Sequence, residues 1–349
     1  MTTQTEQAAE SFIAGRAFTT GLPGFVGIAV DLLLDPAGAP GGRRPLRHGF
    51  LDTRSPRLMV VSGPPSPGLD VALRRMSDDL AAAGRIAEQH RLTVLPLATG
   101  TAHPEGPAHA LGTATAGVRI GLEAGLDDGG PLGLRRRWAL AHTLAPVLAA
   151  AFANSPLRHG RPTGWRSVRT ALRRDLPVLP ALEPRAGWAA YAMDAPAATG
   201  RSLRQWIRSG GRPAPADLDR HLAALRPPVA ARGHLELDPA DRQPGAGWRL
   251  VAAVTTVLLD DRRAAEQAWA ATAPLAGEAR LWERAGRDAL TDPVLAAAAR
   301  DCFLAAYAAL ARQGAARELR DALAEFTDRY VSRGRCPADD VLDQATASP

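Results

Sequence analysis

Lysine is absent from all 349 residues, so every one of the 42 basic side chains is an arginine. That absence excludes a Schiff-base or nucleophilic lysine and a phosphate loop of the Gly-Lys-Ser/Thr type. Asparagine occurs once, at Asn154, tyrosine three times and cysteine twice. Two cysteines, Cys302 and Cys336, do not make a disulfide framework and point to a reducing cytoplasm. With so few tyrosines among scattered arginines, the formal charge of +6 does not read as a nucleic-acid surface. No apolar run approaches 18 residues without interruption, so no membrane span is expected. The polar, acidic start MTTQTEQAAE lacks signal-peptide character.

What is present is an ordinary globular balance, 46% hydrophobic and 22% charged, in a chain long enough for one large core. Phe25–Leu34 is apolar and partly β-branched and reads as a buried strand. Arg57–Ser62 reads as a second strand, ended by Gly63-Pro64-Pro65. Thr93–Leu97, weakened by Pro96, and Ala116–Leu122 are further strand candidates. Residues 4–20 and Leu69–His90 have helical spacing. From about Arg135 the pattern is helical: Trp138–Phe152, Ser202–Ser209, Pro215–Ala224, Trp248–Leu259, Arg262–Ala271, Glu278–Ala289, Pro293–Gln313 and Ala316–Arg333. The strand Gly233–Leu237 interrupts them. Strands first and helices later predict an α+β fold with an antiparallel sheet and helices on one side. Pro36–Pro45 and Thr99–Gly112 read as Gly/Pro-rich loops.

The only asparagine lies in Phe152–Arg169, FANSPLRHGRPTGWRSVR. Together with Arg232-Gly-His-Leu-Glu-Leu237, Gln243-Pro244 and Arg329-Tyr-Val331…Gly334-Arg-Cys-Pro-Ala-Asp-Asp340, this segment resembles the carboxylate–amine ligases of the plant-type glutamate–cysteine ligase family. Within them the resemblance is nearest to the actinobacterial branch that opens ergothioneine biosynthesis. It implies one glutamine-synthetase-like domain over residues 1–345, with a curved, largely antiparallel sheet. A sheet-rich part would span 1–130 and a helix-rich part 131–345. It also implies ATP and Mg²⁺ as cofactors and joining of a γ-carboxylate to an amine.

The departures fall where the family places its chemistry. Its first strand carries Gly-x-Glu-x-Glu, where this chain has Gly27-Ile28-Ala29-Val30-Asp31. Its next motif, Glu-Pro-Gly-Gly-Gln-x-Glu-Leu-Ser, aligned back from Ser62 without gaps, meets Arg54, Leu58 and Val60 at the two glutamates and the glutamine. Arg119 replaces a glutamine, and Asp238 stands in place of an arginine. Hard cations need several oxygen ligands, and an arginine beside a metal costs about 4 kcal/mol at ~4 Å and an effective dielectric near 20. The expectation is therefore that the usual Mg–ATP activity is lost, that no cofactor or metal is held, and that the cavity serves a small amino-acid-like or anionic substrate of specialised metabolism. An active ATP- and Mg-dependent γ-glutamylcysteine ligase and a non-catalytic partner protein remain alternatives.

On that reading Asp31, His221, Glu236 and Asp241 are the candidate acid–base groups. Arg54, Arg119, Asn154, Arg161, Thr163, Trp165 and Arg169 are the candidate substrate contacts, because guanidinium forks pair with carboxylates and phosphates. Arg54, Leu58 and Val60 share parity and would face one side of a strand if no bulge intervenes. The expected partner is a small molecule, with no nucleic acid and no membrane; a homodimer or a pathway partner is left open. His103-Pro-Glu105-Gly-Pro-Ala-His109 reads as a surface loop before a zinc site, Cys336 and Cys302 as structural, and Leu134-Arg-Arg-Arg-Trp138 as a solvated helix face.

Overall fold

The computed structural model describes residues 2–99, 115–127, 130–158, 160–173, 183–196 and 200–347. The chain opens with helix α1 (Thr2–Ala17), followed by strands β1 (Phe25–Asp35), β2 (Arg43–Pro45), β3 (Phe50–Ser55), β4 (Leu58–Ser62) and β5 (Ser66–Pro67). Helix α2 (Leu69–Gln89) leads to β6 (Thr93–Val94), β7 (Gly117–Leu122) and helix α3 (Leu134–Ala151). A small hairpin, β8 (Leu157–Arg158) with β9 (Arg161–Pro162), precedes helices α4 (Val168–Ala171), α5 (Pro184–Asp194), α6 (Leu203–Arg208) and α7 (Pro215–Ala224). Strands β10 (Val229–Ala231) and β11 (Leu235–Asp241) follow. Helices α8 (Trp248–Asp260), α9 (Arg262–Thr272), α10 (Leu281–Arg287), α11 (Pro293–Arg312), α12 (Arg317–Arg329) and α13 (Pro337–Ala347) complete the described chain.

The main sheet is antiparallel, in the order β10-β11-β7-β1-β4-β3-β2, with β5 and β6 also paired to β1. Strand β1 explains how the sheet acquires two unlike faces. Its even residues Val26, Ile28, Val30, Leu32 and Leu34 are buried, as are Val118, Ile120 and Leu122 of β7 and Met59 and Val61 of β4. Those side chains meet helices α2 and α8, as the two-residue alternation of a strand requires. The odd residues of β1 include Gly27 and Ala29, both only half-buried, and face the other way. In α2 the buried Leu73, Met76 and Ala83 form an apolar stripe. The late helices α8, α9, α11 and α3 pack on one another. Helix α11 has the length and apolarity of a membrane span, with mean hydropathy 1.5 over its best window, but 56% of that window is buried inside the fold.

Several expectations are corrected. Residues Arg54 to Ser62 are not one strand: the chain turns at Pro56–Arg57, and β3 pairs with β4 with a bulge between Thr53 and Ser55. Arg54 therefore does not share a strand with Leu58 and Val60, and their equal parity does not place them on one face. Only Thr93–Val94 pairs, because Pro96 offers no amide hydrogen to continue the ladder. Strand β11 runs past Leu237 to Asp241, accommodating Pro239 in a bulge between Leu237 and Ala240. The Leu134–Trp138 cluster is not a solvated face. Arg137 is fully buried, donating to the carbonyls of Glu123 and Leu259 and to Asp260, and Trp138 packs edge-on to Phe18.

Candidate active site on the open face of the sheet

Cross-strand register gathers the residues where the family resemblance places its chemistry. Ala29 pairs with Arg119 on one side and Ser62 on the other, and Asp31 pairs with Val60. Gly121 pairs with Gly27 and Glu236, and Gly117 with Asp241. Directly paired residues of antiparallel strands point to the same side, so all of these share the face opposite the helices. At its Gly117 end the face is closed. A Cβ on Gly117 would lie 2.3 Å from the Arg169 guanidinium, so glycine is what admits that arginine. At the other end Gly27, Ala29, Ser62, Gly121 and Glu236 are only half-buried.

A buried ion network fills the middle. Arg119 reaches Asp31 at 3.0 Å, and the Asp31 carboxylate also accepts the Gly117 amide at 3.1 Å. The bulge in β11 carries Asp238 opposite this pair. Its carboxylate meets Arg169 on one oxygen and Arg173 on the other, the latter at 2.6 Å, while its carbonyl accepts from both arginines. Burial works against the Asp238 charge, but Arg169, Arg173 and Arg119 overcome it and hold the carboxyl well below its ordinary pKa. Burial and the like charges of Arg169 and Arg119 push Arg173 downward. Asp238 is thus the group that keeps mutually repelling guanidiniums together. Arg119 and Arg169, two of the expected substrate contacts, are each paired with a carboxylate of the chain itself.

The segment around Asn154 is a brace. Asp241 accepts the Asn154 amide at 2.8 Å, the Ser155 hydroxyl at 2.7 Å and the Ser167 hydroxyl at 3.1 Å. The Asn154 side-chain amide donates to the Arg242 carbonyl at 2.8 Å. Asn154 and Asp241 therefore join the end of α3 to β11. Burial raises the Asp241 pKa against those hydrogen bonds and Arg169. Thr163 donates to the Pro156 carbonyl at 2.9 Å and accepts the Trp165 amide at 3.2 Å, closing the base of the β8–β9 hairpin. Trp165 is half-buried there, and Arg161 is exposed on β9. His221 is buried with Nε2 2.7 Å from the Ala192 carbonyl, which couples α7 to α5. Burial lowers its pKa, with that hydrogen bond opposing.

The half-open end holds a second cluster of arginines. Arg54 is exposed, and Arg226 is half-buried with hydrogen bonds to the carbonyls of Ala223 and Leu225 at 2.6 and 2.8 Å. Burial, followed by the charges of Arg54, Arg232 and Arg119, pushes the Arg226 pKa down to about 10, with Glu236 opposing. Arg232 is paired with Glu236 at 3.3 Å and also bonds the carbonyls of Leu222 and Leu225. Of the candidate residues, Arg54, Arg119 and Glu236 are brought into this electrostatic neighbourhood. Arg226 and Arg232 were missed by sequence reasoning. Their only signal is their place on either side of β10, whose position beside β11 is a tertiary fact.

Both cysteines are structural. Burial raises the Cys302 thiol to about 12. Cys336 donates to Asp339 at 3.4 Å, and burial with that carboxylate raises its pKa far above the ordinary value. His103, Glu105 and His109 lie outside the described residues.

Comparison with known proteins defines the class. Residues 58–348 match the model of glutamate–cysteine ligase family 2, and the chain belongs to that family. It is 33% identical to the glutamate–cysteine ligase EgtA of Mycolicibacterium smegmatis over 405 positions, covering 99% of this chain and 92% of the relative. To EgtA of Mycobacterium tuberculosis it is 30% identical, covering 97% and 90%. A solved structure described as a novel glutamine synthase homolog superimposes with a TM-score of 0.34 at 17% identity, covering 92% of this chain and 75% of that one.

These relatives correct the expectation of no cofactor. Glutamate–cysteine ligases aligned over almost the whole chain use ATP and Mg²⁺, so those cofactors, not none, accompany the family to which the chain belongs. The described face does not itself fit a magnesium triphosphate. Ala29 and Val60 offer no ligand, Asp31 is taken by Arg119 and an amide, and Asp238 by Arg169 and Arg173. Among the described residues no three His, Cys, Asp or Glu side chains come together to hold a cation.

Proposed function

We propose that the chain is a divergent carboxylate–amine ligase that recognises a small anionic, amino-acid-like substrate at the half-open end of its sheet face. Arg226 carries this reading. It is a half-buried cation that donates to main-chain carbonyls, and Arg54, Arg232 and Arg119 disfavour its charge. A bound carboxylate relieves that repulsion and supplies the bidentate partner a guanidinium takes. Arg54, exposed on the β3 bulge, adds charge at the entrance, while Glu236 keeps Arg232 in place.

Calorimetry with L-glutamate on the full chain tests this. Binding weakens as salt rises, and Arg226→Gln lowers affinity about 10- to 100-fold, the loss of one or two charge-assisted hydrogen bonds. Affinity unchanged by Arg226→Gln and by Arg54→Glu rejects the reading.

A second reading, joining of glutamate to cysteine itself, is favoured by the near full-length alignment with EgtA. Supplying glutamate, cysteine, ATP and Mg²⁺ and detecting γ-glutamylcysteine by mass spectrometry separates it from activity on another substrate.

A further inference from the structure

One ionisable side chain on the open face, His234, stands beside the Arg232–Glu236 pair. His234 sits between β10 and β11, immediately after Gly233. Gly233 takes a left-handed backbone with φ of +77° and is pinned by the Ala17 carbonyl and the Thr19 amide at 2.9 and 2.7 Å. That clamp aims the imidazole across β7. A Cβ on Gly121 would lie 2.9 Å from His234 Nε2 and 3.0 Å from its Cδ2, so the ring rests directly on the Gly121 backbone. Gly121 is the cross-strand partner of both Gly27 and Glu236. His234 therefore lies on the same face as Glu236, over a floor of two glycines. A Cβ on Gly27 would meet only ordinary contact, the Gly121 carbonyl oxygen at 3.7 Å, so room remains beside the ring. A glycine kept in a strand where packing does not demand it suits close approach of a ligand.

The charges around the imidazole are Glu236 on its own strand and Arg232 in the turn before it. His234 is open to solvent as a residue yet set deep among protein atoms. That surrounding protein, with Arg232, lowers its pKa, while Glu236 and a hydrogen bond to the Arg232 backbone oppose the shift. A neutral imidazole has one nitrogen able to accept a hydrogen bond. The arginines nearby have none.

We propose that His234 is the residue that reads the amino group of the substrate: its neutral ring accepts a hydrogen bond from the ammonium of an amino acid lying over Gly27 beside the ring, whose carboxylate meets Arg226. The inference rests on the anion-binding reading above and adds the residue that distinguishes an amino acid from the matching simple carboxylate. Glu236, paired with Arg232 and facing the same side, adds negative charge behind the ring and favours an ammonium there.

Two probes separate the inference from the reading it rests on. L-glutamate and glutarate share two carboxylates and differ by the amino group. Calorimetry on the wild-type chain gives L-glutamate about tenfold tighter binding than glutarate, one charge-assisted hydrogen bond. His234→Leu, which has no acceptor, is checked for an unchanged circular dichroism spectrum and melting curve; it removes that preference and leaves glutarate affinity as it was. If Leu perturbs folding, His234→Ala is the replacement. Lowering the pH through the His234 pKa also erases the preference in the wild type, since an imidazolium repels an ammonium, but leaves the His234→Leu chain unaffected. Equal weakening of both probes by His234→Leu, or a preference that survives it, overturns the inference while the anion site stands. Failure of both probes to bind the wild type rejects the anion reading, and the inference falls with it.

Discussion

Replacing Asp238 with asparagine leaves Arg169 and Arg173 buried without the carboxylate that joins them. The side chains of Asp238 and Arg169 are each only 2% exposed, and that of Arg173 is 16% exposed, so water cannot substitute for the lost charge. Removing one member of a buried pair costs about 3–5 kcal/mol. For a chain of this length the entropy of unfolding converts that loss to a melting decrease of about 4–7 °C. The pH dependence has a definite sign. Because the folded Asp238 pKa lies below its ordinary value of 3.8, its contribution is fully present above that value. It is lost as pH falls toward the folded value. Scanning calorimetry at pH 7 therefore shows the full difference between wild type and Asp238→Asn, and the difference shrinks as the pH is taken below about 3.5. Adding Arg173→Leu to Asp238→Asn recovers part of the loss, since one stranded cation is removed. A decrease under about 1 °C at pH 7, or a gap that widens in acid, refutes the claim that Asp238 holds the cluster.

Gly117→Ala places a methyl 2.3 Å from the Arg169 guanidinium and displaces it from Asp238, so melting falls by several degrees without change at the half-open end. Gly121→Ala presses on His234 at 2.9 Å, and calorimetry shows the glutamate preference over glutarate reduced with little change in melting. Asn154→Ala removes the hydrogen bond to the Arg242 carbonyl and lowers stability by about 1–3 kcal/mol in denaturant titration. Arg161→Ala, an exposed change, alters stability by less than about 0.5 kcal/mol, and a larger loss contradicts its surface placement.

Much of the fold was legible along the chain. The alternation in Phe25–Asp35, the helical stripe of Leu69–Gln89 and the Pro215–Ala224 and Trp248–Asp260 helices are local patterns, set by side-chain period and by where proline and glycine interrupt it. Elements without such a period were not legible. The short β3 strand lies in a polar, arginine-containing stretch, and its pairing with β4 rests on a turn and a bulge. The family was legible because long motifs survive in the brace around Asn154. What those motifs hold was decided only in three dimensions. Arg119 and Arg169 read as ligand forks in the sequence, yet they are spent on Asp31 and Asp238. A guanidinium is charged wherever it lies, and only packing brings a carboxylate within 3 Å of one arginine and leaves another with main-chain carbonyls. Arg226 and His234 enter the proposed site because β10 and β11, more than a hundred residues beyond β7, pair into the same sheet. Local sequence sets which residues can form a strand; long-range pairing sets which side chains face one another across it, and so which charges remain for a ligand.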